Sequence, residues 1–119
     1  MKVLIVDDEE GIRNLVCAFV SGNGNTVLTA SDGLEGLAVA REFKPDVIVS
    51  DTQMPKMSGP DFLDAYRAEN SQVKVILMSG DGLQDICKTY PSAANYVFLK
   101  KAFNYGEFRQ VFDELSQTS

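Results

Sequence analysis

Five short apolar runs punctuate the chain, at Val3 to Val6, Thr26 to Ala30, Val47 to Val49, Val75 to Met78 and Tyr96 to Leu99. Most are continuous rather than alternating, the pattern of strands covered on both faces in a parallel sheet. The stretches between them have helical spacing. Ile12, Leu15, Val16 and Phe19 form one apolar face, stopped by Gly22 to Asn25; Leu34, Leu37 and Ala38 form the next, ended by Phe43-Lys44-Pro45. Phe62, Leu63 and Tyr66 mark a third helix that ends near Asn70, and a short fourth, Leu83 to Tyr90, is closed by Pro91. The last begins at Asn104, with Glu107 three residues on as a capping-box variant, and carries Phe108, Val111, Phe112 and Leu115 on one stripe.

Alternating strand and helix units predict an α/β protein built on a single doubly wound, five-stranded parallel sheet of order 2-1-3-4-5 with five helices and right-handed crossovers. All 119 residues are assigned to this one domain, with only Ser116 to Ser119 read as a loose tail. A chain of this length buries roughly two-thirds of its unfolded surface without disulfides or structural metal.

In such sheets ligands bind beyond the carboxyl ends of the strands, where strand order reverses. The polar residues fall there. The first run ends in Asp7-Asp8, the third in Asp51, the fourth in Ser79-Gly80 and the fifth in Lys100-Lys101, while Ser31-Asp32-Gly33 after the second reads as a helix start. One carboxylate at a strand end is ordinarily a cap or a turn residue; four compatible groups around one crevice make a site.

Composition narrows the chemistry. Hydrophobic residues at 45% and charged residues at 24% are ordinary for a globular chain, and a formal charge of -6 argues against direct contact with nucleic acid. The apolar run at the amino terminus is too short for a signal peptide, and no later run approaches the ~18 residues of a membrane span. Cys17 and Cys87 stand far apart with no CxxC pair, which fits reduced cysteines in a cytoplasmic protein. The absence of histidine removes His-based triads, histidine-bearing zinc sites and a histidine phosphoacceptor within the chain.

Three carboxylates converging on one crevice stay ionised only with a cation among them. Oxygen ligands without histidine or thiolate point to Mg²⁺, which takes one or two carboxylates, water and a phosphate oxygen. A lysine ammonium and a serine hydroxyl at the same rim suit the remaining oxygens of a phosphoryl group. No GxxxxGK[ST] loop or dinucleotide fingerprint is present, so a carboxylate becomes the natural phosphoryl acceptor, forming an acyl phosphate.

Taken in order, Val3-Leu4-Ile5-Val6-Asp7-Asp8-Glu9, Ala30-Ser31-Asp32-Gly33-Leu34-Glu35, Asp51-Thr52-Gln53-Met54-Pro55 through Met57-Ser58-Gly59, Ser79-Gly80 and Leu99-Lys100-Lys101-Ala102-Phe103 closely resemble a response-regulator receiver domain of two-component signalling, over essentially the whole chain. The resemblance implies a flavodoxin-like fold with Asp51 as phosphoacceptor. It also implies Mg²⁺ held by Asp7, Asp8, Asp51 and the backbone carbonyl of Gln53, with Asp7 acting chiefly through water. Ser79 matches the hydroxyl residue that bonds the phosphoryl group, Lys101 the lysine that offsets its charge, and Phe98 the switch aromatic. The implied partners are a histidine kinase or phosphotransfer protein and a downstream effector that reads the face of the fourth helix, fifth strand and fifth helix. Such a domain takes part in its own phosphorylation and dephosphorylation without being a conventional enzyme. The chain fits either a stand-alone regulator or a piece of a longer protein.

Ala102 departs from the family pattern, which has proline there after a cis peptide. A cis bond before a residue other than proline costs about 2.5 to 4 kcal/mol, so local cost favours a trans bond with a reshaped loop. Ala102 is also the one sign of a second reading, a receiver-like protein-binding module with impaired phosphorylation switching. A phosphatase with an aspartate nucleophile would want a second carboxylate two residues on, where Gln53 stands.

Overall fold

The computed structural model describes residues 1–22 and 24–117. Its elements alternate as β1 (Lys2–Val6), α1 (Glu10–Val20), β2 (Thr26–Ala30), α2 (Gly33–Phe43), β3 (Val47–Asp51), α3 (Gly59–Glu69), β4 (Lys74–Ser79), α4 (Leu83–Thr89), a 3₁₀ helix (Pro91–Asn95), β5 (Val97–Lys100) and α5 (Tyr105–Gln117). All strand pairs are parallel and the order is β2-β1-β3-β4-β5, as the alternation of runs and helices predicts.

Two apolar layers cover the sheet. Leu4, Val6, Ile48, Val75 and Leu77 meet Leu37, Phe62, Leu63, Tyr66 and Ile86 from α2, α3 and α4. Val3, Ile5, Val49, Ile76 and Met78 meet Val16, Val20, Phe108 and Phe112 from α1 and α5. Alternate strand residues point to opposite faces, and with both faces buried the central runs have no reason to alternate polar and apolar. The edge strands differ: Leu28 in β2 and Val97 in β5 are exposed.

Helix starts follow their signals. Asp32 Oδ1 accepts from the Glu35 amide at 2.8 Å, and Ser58 Oγ accepts from the Asp61 amide at 3.2 Å with Pro60 in the first turn. Asn104 and Glu107 cap each other reciprocally, at 2.8 and 3.1 Å. Gly22 and Gly24, beyond the end of α1, have φ of 92° and 79°, left-handed values that favour glycine; Asn23, within the expected stop, lies outside the described residues.

Three expectations are corrected. Leu15, Leu34 and Ala38 face solvent; α2 instead buries Gly33, Gly36, Leu37 and Ala40, because Gly36 lets the helix approach Val6 and Phe62 closely. Ser116 and Gln117 belong to α5 rather than to a loose tail, and residues 118 and 119 lie outside the described residues. Tyr96 precedes β5 and is buried toward α3. Cys17 and Cys87 are free and half-buried. Among the described residues no helix is long and apolar enough to cross a membrane.

Tyr96 has a polar anchor. Its hydroxyl donates to Asp64 Oδ1 on α3, the Ser92 hydroxyl donates to Asp64 Oδ2 at 2.7 Å, and the Arg67 guanidinium lies 5.3 Å from the Tyr96 ring centre. One carboxylate thus ties the 3₁₀ helix and the entry to β5 onto α3. Burial and the Asp64 carboxylate both push the Tyr96 phenol up from its ordinary value. Tyr96→Phe keeps the ring and removes the hydroxyl, and is expected to lower unfolding free energy by about 1 kcal/mol in urea denaturation.

Candidate functional site

Parallel register brings the strand ends together. Val6 pairs with Ala30 and Ser50, Asp51 with Met78, and Ser79 with Lys100, so the residues just beyond β1, β3, β4 and β5 share one edge. The Asp7 amide continues the ladder to the Ala30 carbonyl at 3.1 Å, and the Lys101 amide to the Ser79 carbonyl at 2.8 Å. A cleft of about 250 Å³ lies there, lined by Asp8, Glu9, Asp51, Gln53, Ser79, Gly80, Asp81 and Lys101.

Lys101 organises the charges. Its ammonium lies 3.0 Å from Asp7 Oδ2, 3.2 Å from Asp51 Oδ1 and 3.7 Å from Glu9 Oε1. Asp7 is fully buried and Asp51 nearly so, while Asp8 and Glu9 are exposed at the mouth. Asp51 Oδ1 also accepts from the Thr52 amide, and Asp7 Oδ1 from the Glu9 amide, each at 2.9 Å. Ser79 Oγ accepts from the Asp81 amide at 3.0 Å. Phe98 stands farther along β5, opposite Leu77, half-buried against the core layer of α2, α3 and α4. Lys100 is exposed and outside the cleft.

Burial pushes the Asp51 carboxyl up to about 6, helped by the charge of Asp7; Lys101 and the Thr52 amide pull it back. Asp7 is raised as well, chiefly by burial, against the Glu9 amide and Lys101. For Lys101, burial alone would lower the ammonium, but Asp51 and Asp7 outweigh it and raise it. Carboxylate oxygens of Asp7, Asp8, Glu9 and Asp51 lie within 4.8 Å of one another. This all-oxygen, strongly negative set suits a hard cation.

The Lys101–Ala102 peptide is cis, which corrects the trans bond favoured on local cost. Local cost omits what holds this loop on either side. The Lys101 amide and ammonium are bound to Ser79, Asp7 and Asp51, and Phe103 is packed between Phe19 and Phe108, with ring centres at 6.5 and 5.8 Å.

Several participants escaped the sequence reading. Glu9 was visible only as a third acid in a row. Thr52 is buried, and its hydroxyl donates to the Met78 carbonyl at 2.8 Å, locking the loop after β3 onto β4. Gly59 has a steric signal: a Cβ there would stand 2.0 Å from the Asp51 carbonyl oxygen, and its own amide donates to Thr52 at 2.8 Å. The start of α3 can press against the backbone of Asp51 only because residue 59 has no side chain.

The fold and this acidic edge define a class, and comparison with known proteins places the chain in it. The response regulator receiver domain family matches residues 3–113, and the chain belongs to that family. It is 31% identical over 111 residues to Regulator of RpoS from Escherichia coli K12, covering 92% of this chain but only 33% of that protein. It is 29% identical to sporulation initiation phosphotransferase F of Bacillus subtilis, covering 91% of this chain and 87% of the other. The chemotaxis protein CheY4 of Vibrio cholerae superposes with a TM-score of 0.84 at 32% identity, over 96% of this chain and 97% of that one. The protein is therefore a receiver domain of two-component systems.

Two outcomes follow from the site. Gly59→Ala is expected to cost about 3 kcal/mol in urea denaturation, because the new methyl group meets backbone rather than a yielding side chain. Asp51→Asn is expected to stabilise the metal-free protein at pH 7.5 by about 3 kcal/mol. The folded carboxyl, at about 6, lies above its ordinary 3.8. Its contribution to stability is therefore complete below about pH 4 and lost as pH rises through 6, and the advantage of the Asn variant should vanish at pH 4.

Proposed function

We propose that this receiver domain is a phosphorylation-dependent signalling regulator that accepts a phosphoryl group on Asp51 from a partner histidine kinase or phosphotransfer protein. The observation that carries this reading is the Lys101 ammonium 3.2 Å from Asp51 beside a cleft of oxygen ligands. It favours a working phosphoacceptor over a module that has lost its switch through Ala102.

An Asp51 carboxylate oxygen forms the new bond to phosphorus. The P–N bond of the partner's phosphohistidine breaks, and its electron pair returns to the imidazole, which takes up a proton. Lys101 lies where it can offset charge on the phosphoryl oxygens, and the Ser79 hydroxyl stands at the rim of the same cleft. Asp7, Asp8, Asp51 and the Gln53 backbone carbonyl would hold Mg²⁺, with Asp7 acting through water; the donor set fits the ion. When bound, Mg²⁺ supplies positive charge that stabilises the transferring phosphoryl group.

Bonding of the Ser79 hydroxyl to the acyl phosphate shifts the β4–α4 connection, and Phe98 follows it inward. The face of α4, β5 and α5 then changes its affinity for an effector protein or domain. The truncated α4, followed by the 3₁₀ helix, gives this face its own contour. The domain promotes its own phosphorylation and hydrolysis but turns over no separate substrate, binds no nucleic acid directly and works in the cytoplasm.

The test is chemical. With Mg²⁺ and a small acyl phosphate, intact-protein mass spectrometry is expected to show one added phosphoryl group on the wild type, and none on Asp51→Asn or in excess chelator. An unmodified wild type, or an equal adduct on the variant, would overturn the assignment.

A further inference from the structure

Asp7 has a partner for each of its polar groups. Its amide donates to Ala30, its two carboxylate oxygens accept from Glu9 and Lys101, and its backbone carbonyl accepts from Arg13 Nη1 at 2.6 Å. The last contact comes from outside the cleft: Arg13 lies on the second turn of α1, half-buried, and does not line the pocket.

We infer that Arg13 is a positioning residue for the cation site, aiming the Asp8 carboxylate by holding the Asp7–Asp8 peptide. The inference rests on the proposed metal-dependent reading of that site. A peptide unit is planar, so a guanidinium fixed on the Asp7 carbonyl fixes the direction of the Asp8 amide and Cα as well. Among the described residues no hydrogen bond or ion pair holds the Asp8 side chain, which is exposed at the mouth. With no side-chain partner, the backbone position is what limits where its two rotatable side-chain bonds can bring the carboxylate toward the other three. A charge-assisted bond is stronger than a neutral one and suits that task. Arg13 also stands on α1, so it ties the acidic loop to a helix whose Val16 and Val20 are buried in the core.

Arg13 influences the site in two opposed ways, which makes the inference decidable. As a nearby cation it repels a metal ion, and its removal would tighten binding. As the group that orients Asp8 it assists the ion, and its removal would weaken binding. Partners that orient a metal ligand are worth about 10- to 100-fold in affinity.

The experiment is calorimetric titration of Mg²⁺ into the unphosphorylated chain, for wild type, Arg13→Ala and Arg13→Lys, with thermal midpoints recorded for each. Arg13→Ala is expected to weaken Mg²⁺ affinity about 10-fold, and Arg13→Lys, which keeps charge and a donor but loses the planar fork, to show a smaller loss in the same direction. Phosphorylation by a small acyl phosphate should need more Mg²⁺ for half-saturation while its limiting rate stays near wild type, a split that general loss of stability would not produce. Unchanged or tighter Mg²⁺ binding in either folded variant would overturn the inference. Should Arg13→Ala not fold, Arg13→Lys alone decides. A wild type that neither binds Mg²⁺ nor accepts a phosphoryl group would instead overturn the reading of the site on which the inference stands.

Discussion

The Lys101 ammonium, held 3.0 Å from Asp7 and 3.2 Å from Asp51, is the interaction on which the acidic edge depends. Two like charges about 4 Å apart repel by about 4 kcal/mol at an effective dielectric constant of ~20, and burial removes the water that would screen them. The amino end of the set is fixed by β1, the middle by β3, and the counter-charge arrives from the far end of the chain on the loop after β5. The site therefore exists only when the sheet is assembled, and the Asp51 carboxyl stays raised because burial, with the charge of Asp7 added, outweighs what one lysine gives back.

The same charge imbalance connects structure to function. A cleft with four carboxylates beside one ammonium is still short of positive charge, which favours a divalent cation. The backbone around the cleft is held from several sides: Thr52 is bonded to β4, Gly59 lets α3 press against the Asp51 carbonyl, and the Glu9 amide holds Asp7. The face of α4 and β5 is built differently. It consists of a short α4, a 3₁₀ helix tied to α3 through Asp64, and a half-buried Phe98.

Much of this was legible in the chain. Continuous apolar runs such as Val47 to Val49, short and bounded by polar turn residues, fit strands buried on both faces, and capping pairs such as Asn104 and Glu107 act within one turn, so neither needs distant information. Asp7, Asp8, Asp51, Ser79 and Lys101 were legible as strand-end polar groups because parallel topology aligns the carboxyl ends of strands. Helix faces were less so. Leu34 reads as core by spacing, yet α2 turns Gly33 and Gly36 inward because close approach to the Met57 backbone and to Val6 excludes larger side chains.

By itself, then, the sequence determined the strand and helix order, the helix caps and the identity of the groups at the cleft, since all of these rest on local periodicity and on chemistry carried by single residues. Only the tertiary structure decided how those groups are shared. It set the Lys101 ammonium between Asp7 and Asp51 at once, made the Lys101–Ala102 peptide cis, pressed Gly59 onto Asp51 and brought Arg13 to the Asp7 carbonyl. These contacts join residues far apart along the chain, or depend on which way a loop turns, and both are settled by packing against neighbours that no local pattern contains.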